Sequence, residues 1–133
     1  MISVCNVCHT YNQKTKQEIL HDITVDIPES KFVILLGQSG SGKTTLLNII
    51  AGLMKPTEGK VFFNNESMYN KSQDQLCDFR RINVGFIFQN FFLENSYTAG
   101  ENVLVPLLLN KKMSNAERKL RVQEVLSLVG LVD

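Results

Sequence analysis

Residues 37–44 read Gly-Gln-Ser-Gly-Ser-Gly-Lys-Thr, the spacing G-x-x-x-x-G-K-[ST] of a phosphate-binding loop. Each residue type has a chemical task there. Gly37, Gly40 and Gly42 lack a Cβ, so the chain can turn through left-handed dihedrals and bring its N–H groups close to an anion. Lys43 can reach the β- and γ-phosphates, each charge-assisted bond contributing about 1.5–3 kcal/mol. Thr44 can offer its hydroxyl to Mg²⁺, an ion that prefers oxygen ligands. The competing interpretation is a glycine-rich turn that matches by chance, and the flanking residues weigh against it.

Those flanks are the elements that must position the loop. Phe32 to Leu36 is a short apolar run, predicting a strand that ends at Gly37. From Lys43 to Leu53 the apolar residues recur at helical spacing, predicting a buried helix whose unpaired N–H groups face the anion. Further strands are expected at 2–8, 19–27, 60–63 and 84–88, the last ending at Gln89. A polar connection covers 11–17, turns fall at 28–31 and 64–65, and Lys55-Pro56-Thr57-Glu58-Gly59 breaks the chain after the helix. Residues 72–81 predict a short helix. Thr98-Ala99-Gly100-Glu101 and Ser114-Asn115-Ala116-Glu117 are capping boxes opening two more. In the second of these, Val122, Val125, Leu126 and Val129 form an apolar stripe before Gly130 stops the helix.

Composition narrows the classes. The chain has 133 residues, enough for one domain or part of a larger one. Fourteen basic and thirteen acidic side chains nearly cancel, leaving no electrostatic footprint for nucleic acid. There is no eighteen-residue apolar run and no basic, apolar leader, which predicts a cytoplasmic, reducing setting. Cys5-Asn6-Val7-Cys8-His9 formally matches a haem-attachment site, but simple alternation along a strand would point Cys5 and Cys8 to opposite faces. Cys77 reads as a small apolar helix residue.

Taken together, the residues resemble the ATP-binding subunits of ABC transporters, most closely the branch serving lipoprotein release, macrolide export and antimicrobial-peptide efflux. Beyond the phosphate loop, the resemblance rests on 46–53, Pro56-Thr57-Glu58-Gly59, Phe79-Arg80-Arg81, 84–93, 98–103, Pro106-Leu107-Leu108 and 129–133. It implies an α/β fold: a P-loop NTPase core with an antiparallel β subdomain over about 1–97, then the start of a helical subdomain over 98–133. The cofactors implied are ATP and Mg²⁺. Nucleotide contacts are expected from Tyr11, as an adenine-stacking aromatic, and from Gly37, Gln38, Ser39, Gly40, Ser41, Gly42, Lys43, Thr44 and Thr45. A surface turn tyrosine is the alternative for Tyr11. Lys43 and Gln89 are the candidate catalytic residues, and Thr44 and Gln89 the candidate metal contacts. The family glutamine matched by Gln89 reaches Mg²⁺ and the attacking water.

The resemblance also implies partners. A transmembrane permease would dock near Gln89, Phe91, Phe92, Leu93 and Tyr97, unless those aromatics fold into the chain's own core. A second ATP-binding subunit would complete the site, and the protein would sit peripherally at the cytoplasmic face of the plasma membrane. Ser30-Lys31 departs from the family's common Gly-Glu. The Leu-Ser-Gly-Gly-Gln signature, the strand ending in Asp-Glu and the switch histidine are absent from these residues. Leu128 to Asp133 is read as a helix end, not as the aspartate-bearing strand. ATP binding without turnover is therefore the expectation for this chain alone. A non-hydrolytic nucleotide-dependent interaction module and a small phosphotransferase are the alternatives.

Overall fold

The structure, a computed structural model, describes residues 1–12 and 17–131. The chain divides into two compact units, with the boundary between Phe86 and Ile87.

The first unit is built on an antiparallel four-stranded sheet. Its strands are β1 (Ile2–Asn12), β2 (Gln17–Ile27), β3 (Glu58–Phe63) and β4 (Glu66–Ser67), in the order β2-β1-β3-β4. Helix α1 (Lys43–Ile50) and, after a short 3-10 turn at Met68–Asn70, helix α2 (Gln73–Asn83) complete it. Val4, Val7 and Val61 from the sheet meet Leu46 and Ile49 from α1, with Leu20 and Met68 closing the core. Val4 and Val7 are both fully buried although three residues apart, which a regular strand would forbid. A bulge resolves this. The register with both neighbouring strands shifts between positions 4 and 8, and Asn6 takes a left-handed φ of 48°. Simple alternation, the basis for placing Cys5 and Cys8 on opposite faces, therefore does not hold here. Gly59 fits the bulge: a Cβ there would come within 2.2 Å of the Asn6 carbonyl oxygen.

Helix α1 stops at Ile50, three residues short of the expected end, because Gly52 turns left-handed at φ 73° and closes the helix, its N–H donating to Ile49 O at 3.1 Å while Leu53 N donates to Asn48 O at 2.9 Å. The Arg80 guanidinium donates to Gly52 O at 2.8 Å, and the Tyr69 hydroxyl to the carbonyls of Ile49 and Met54. A cation at a helix C-terminus also offsets the macrodipole. Burial pushes the Tyr69 phenol well above its usual range, so it stays a donor.

Two predicted strands do not form. Residues 32–36 and 84–88 carry no ladder, because no neighbouring strand pairs with them among the described residues. Strand structure needs a partner for its N–H and C=O groups, and an apolar run does not supply one. Leu35 packs against the core, whereas Phe32 and Leu36 are 91% and 88% exposed. The expected connection at 11–17 shrinks, since β1 runs to Asn12 and β2 starts at Gln17; residues 13–16 lie outside the described residues, as do Val132 and Asp133.

The second unit pairs α3 (Ala99–Leu108) with α4 (Asn115–Leu128). Both expected capping boxes form: Thr98 accepts from Glu101 N while the Glu101 carboxylate accepts from Thr98 N at 2.7 Å, and Ser114 and Glu117 do the same. Gly100 lets the helices approach, the position of its absent Cβ lying 3.7 Å from Val122. Arg118 ties α4 back to the end of α3 through the carbonyls of Leu107 and Asn110. Asn102 anchors the preceding loop, donating to the carbonyls of Glu94, Tyr97 and Thr98 and accepting from Glu94 N at 2.9 Å. An apolar cleft of about 590 Å³ lies in this unit, lined by Leu93, Tyr97, Val103, Val125, Leu126 and Leu131 among others.

Candidate nucleotide site

The loop at 37–44 leads directly into α1, as its residue types require. Gly42 is the N-cap of α1 with φ 87°, and a side chain there would collide with β2, 2.8 Å from Leu20 Cδ2 and 3.0 Å from Ile19 O. The sheet thus seats the loop's last glycine. Gly40, at φ 80°, has open space where a Cβ would point. Glycine is thus required at Gly42 by packing and strain, and at Gly40 by strain alone.

Electrostatically the site consists of donors. No side chain caps α1, and its first turn holds no acid, so the N–H groups at Lys43–Thr45 have no capping side chain. The Lys43 ammonium lies over the loop, donating to Gly37 O at 2.8 Å, Gln38 O at 2.6 Å and, at 3.4 Å, Ser41 Oγ. Ser41 N in turn donates to Gln38 O at 3.2 Å, closing the turn. Residues 37–45 contain no carboxylate. Helix-terminal N–H groups, a mobile-stemmed ammonium and exposed hydroxyls at Ser39, Ser41 and Thr44 fit a polyphosphate and an oxygen-seeking divalent cation.

Tyr11, near the end of β1, is brought to this site. Its hydroxyl shares a hydrogen bond with Thr45 Oγ1 at 3.1 Å, while its ring remains 60% exposed. His9 stands edge-on to that ring, with centroids 5.0 Å apart and planes at 87°. His9 is itself buried, and its Nδ1 has no hydrogen-bond partner. The expected strand at 2–8 left both His9 and Tyr11 off its end, so the contact was not legible; it exists because β1 runs on to Asn12 and carries both residues.

Gln89 belongs to the second unit and is exposed at a bend. Nearby, Phe91 and Phe92 are 85% and 76% exposed, and Leu93 and Tyr97 also face solvent, so these side chains do not form a core of their own. Phe92 does meet Phe88 edge-on at 5.2 Å. Among the described residues, no helix is long and apolar enough to cross a membrane.

Comparison with known proteins agrees with this geometry. The sequence model of the ABC transporter family matches residues 20–133. An uncharacterized ABC transporter ATP-binding protein of Methanocaldococcus jannaschii, MJ0796, is 42% identical over 98% of this chain and 57% of its own length. MJ1508 of the same organism, likewise named an uncharacterized ABC transporter ATP-binding protein, is 40% identical over 100% of this chain and 59% of its own length. YxdL, an ABC transporter ATP-binding protein of Bacillus subtilis, is 39% identical over 84% of this chain and 44% of its own. This chain therefore spans a little over half the length of its first relative. Two dimeric structures of MJ0796 superpose at TM-scores of 0.86 and 0.87, with 40% and 41% identity, each covering 98% of this chain. The first is a post-hydrolysis state bound to ADP and phosphate. With a phosphate loop seated on the sheet and a family match across most of its residues, the chain belongs to the ATP-binding proteins of ABC transporters.

Proposed function

We propose that this chain is the nucleotide-binding part of an ABC transporter subunit, and that the complete subunit hydrolyses ATP to drive export through a membrane permease. The observation that carries the reading is the seated loop: an ammonium and helix-terminal amides gathered over residues 37–45, with no acid among them. On nucleotide binding, the ammonium exchanges its loop carbonyls for β- and γ-phosphate oxygens, and the amides of the first turn of α1 bond the same anion. Thr44 supplies a hydroxyl to Mg²⁺. When bound, the ion would offset charge developing on the γ-phosphoryl group. Tyr11 offers its exposed face to adenine. Gln89 is the proposed amide for the metal and the attacking water, an assignment drawn from the family pattern.

The same reading extends to partners and turnover. A second ATP-binding subunit is proposed to face the loop, in keeping with the dimeric form of MJ0796. The exposed apolar side chains Phe91, Phe92, Leu93 and Tyr97, with Gln89, are the proposed permease contact. The resemblance calls for an Asp-Glu pair that these 133 residues do not contain, and the loss of a general base removes about 10²–10⁴ in rate. This chain alone therefore binds ATP without sustained turnover. Calorimetry with MgATP tests the central point: the expected result is saturable binding that Lys43→Ala abolishes. No heat of binding, or binding indifferent to that substitution, overturns the reading. Steady phosphate release that is lost in Lys43→Ala would overturn the claim about turnover alone.

A further inference from the structure

We propose that His9 and Thr45 are positioning residues for the base-facing tyrosine, holding Tyr11 at two points and tying base recognition to the phosphate-loop helix. The inference rests on the reading of Tyr11 as the adenine platform. An exposed tyrosine near a strand end is free to change rotamer, and a platform that must first be ordered binds less tightly than one already fixed. Here both ends of the ring are engaged. At the hydroxyl end, Thr45 is 5% exposed, and its Oγ1 lies 3.1 Å from the phenolic oxygen. At the ring, His9 and Tyr11 meet in a T-shaped contact with planes at 87°, an arrangement that aromatic quadrupoles favour.

The environment of His9 argues that this contact is its task. The imidazole is 8% exposed, yet its Nδ1 makes no hydrogen bond, so an apolar side chain would satisfy the site better if filling space were all that was needed. What the imidazole provides is an aromatic ring in T-shaped contact with Tyr11, two residues away along β1. Thr45 has the complementary role. It follows Lys43 and Thr44 in the first turn of α1, so movement of that turn onto a phosphate is passed to the tyrosine hydroxyl. The structure thus contains a short path, from Lys43 through Thr45 to Tyr11 and His9, between the phosphate and base ends of the site.

The test compares MgATP with magnesium tripolyphosphate, which has the phosphates and no base, by calorimetry on the full chain and its variants. Their affinity ratio reports the contribution of the adenosine moiety, and its change between variants that of the base contact, which general destabilisation would not change. Tyr11→Phe is expected to lower that ratio about two- to tenfold, the range for one lost hydrogen bond, with tripolyphosphate binding unchanged, and Thr45→Val, which alters a residue of the phosphate-binding turn, to weaken MgATP binding more than tripolyphosphate binding. Thr45→Ser should restore it. His9→Ala should lower the ratio, and His9→Phe, which keeps an aromatic edge, should return it. Parallel losses for both ligands, or a ratio unmoved by the variants, overturn the inference. Equal wild-type affinities, both dependent on Lys43, would overturn it while leaving phosphate binding intact. Should wild type bind neither ligand, the underlying reading falls, and this inference with it.

Discussion

Gly42 and Gly40 sit two residues apart in one loop, both with left-handed backbones, yet they should respond differently to the same substitution. Gly42→Ala places a methyl 2.8 Å from Leu20 Cδ2 and 3.0 Å from a backbone oxygen, in addition to the left-handed penalty of about 1–2 kcal/mol. The fold should lose more than that penalty, seen as a lower midpoint in urea. Gly40→Ala meets open space, so its cost to the fold is the left-handed term alone; its larger effect should be on MgATP affinity, since the residue lies within the proposed phosphate loop. Equal midpoints for the two variants would refute this division. The loop itself was legible because a phosphate cradle needs glycines and a lysine at fixed offsets, all close in sequence. The seat beneath Gly42 was not, because it comes from Ile19 and Leu20 on a distant strand. Gly59 was equally hidden: it was read as part of a chain break, and its close approach to Asn6 depends on a bulge in another strand.

Among the elements, three helices begin with the same reciprocal cap, but not with the same chemistry. Helix α2 closes its box with Gln75, whereas α3 and α4 use Glu101 and Glu117. Backbone and then side-chain hydrogen bonds from Thr98 hold the Glu101 carboxyl below its ordinary range; those from Ser114 do the same for Glu117. A lowered folded-state pKa means that the stabilisation is fully present above the unfolded value of about 4.3 and is lost as pH falls through the folded value. Acid titration followed by circular dichroism should therefore show α3 and α4 fraying below about pH 4. Glu101→Gln with Glu117→Gln should flatten that response, because the amide caps at any pH; an unchanged acid transition would count against it. Two of these caps were read from sequence since each occupies four consecutive residues. The Ser72–Gln75 box carried the same signal and was passed over. Strands 32–36 and 84–88 were misread for the opposite reason: apolar runs are local, whereas a strand exists only through a neighbour.

For the molecule as a whole, apolar exposure is the dominant physical fact. Phe32, Ile34, Leu36 and Ile87 face solvent, as do Phe91, Phe92 and Leu93. Apolar surface on this scale favours association. The chain should sediment as concentration-dependent oligomers and bind a hydrophobic dye while still folded; a monomer with a sharp two-state melt and no dye binding would contradict that. The near balance of 14 basic and 13 acidic side chains gives little long-range repulsion to oppose it. The sequence could name the apolar runs, but it could not say which would be covered, since coverage depends on surfaces far along the chain.

The lysine at the loop has one more implication. Because its ammonium rests on two loop carbonyls, the proposed capture of a triphosphate would be a change of partner. A slim, freely rotating head can turn from one set of oxygens to another; a planar guanidinium is committed by its fork. Lys43→Arg should thus keep the resting loop's thermal midpoint while weakening MgATP capture at least tenfold, roughly one lost charge-assisted bond.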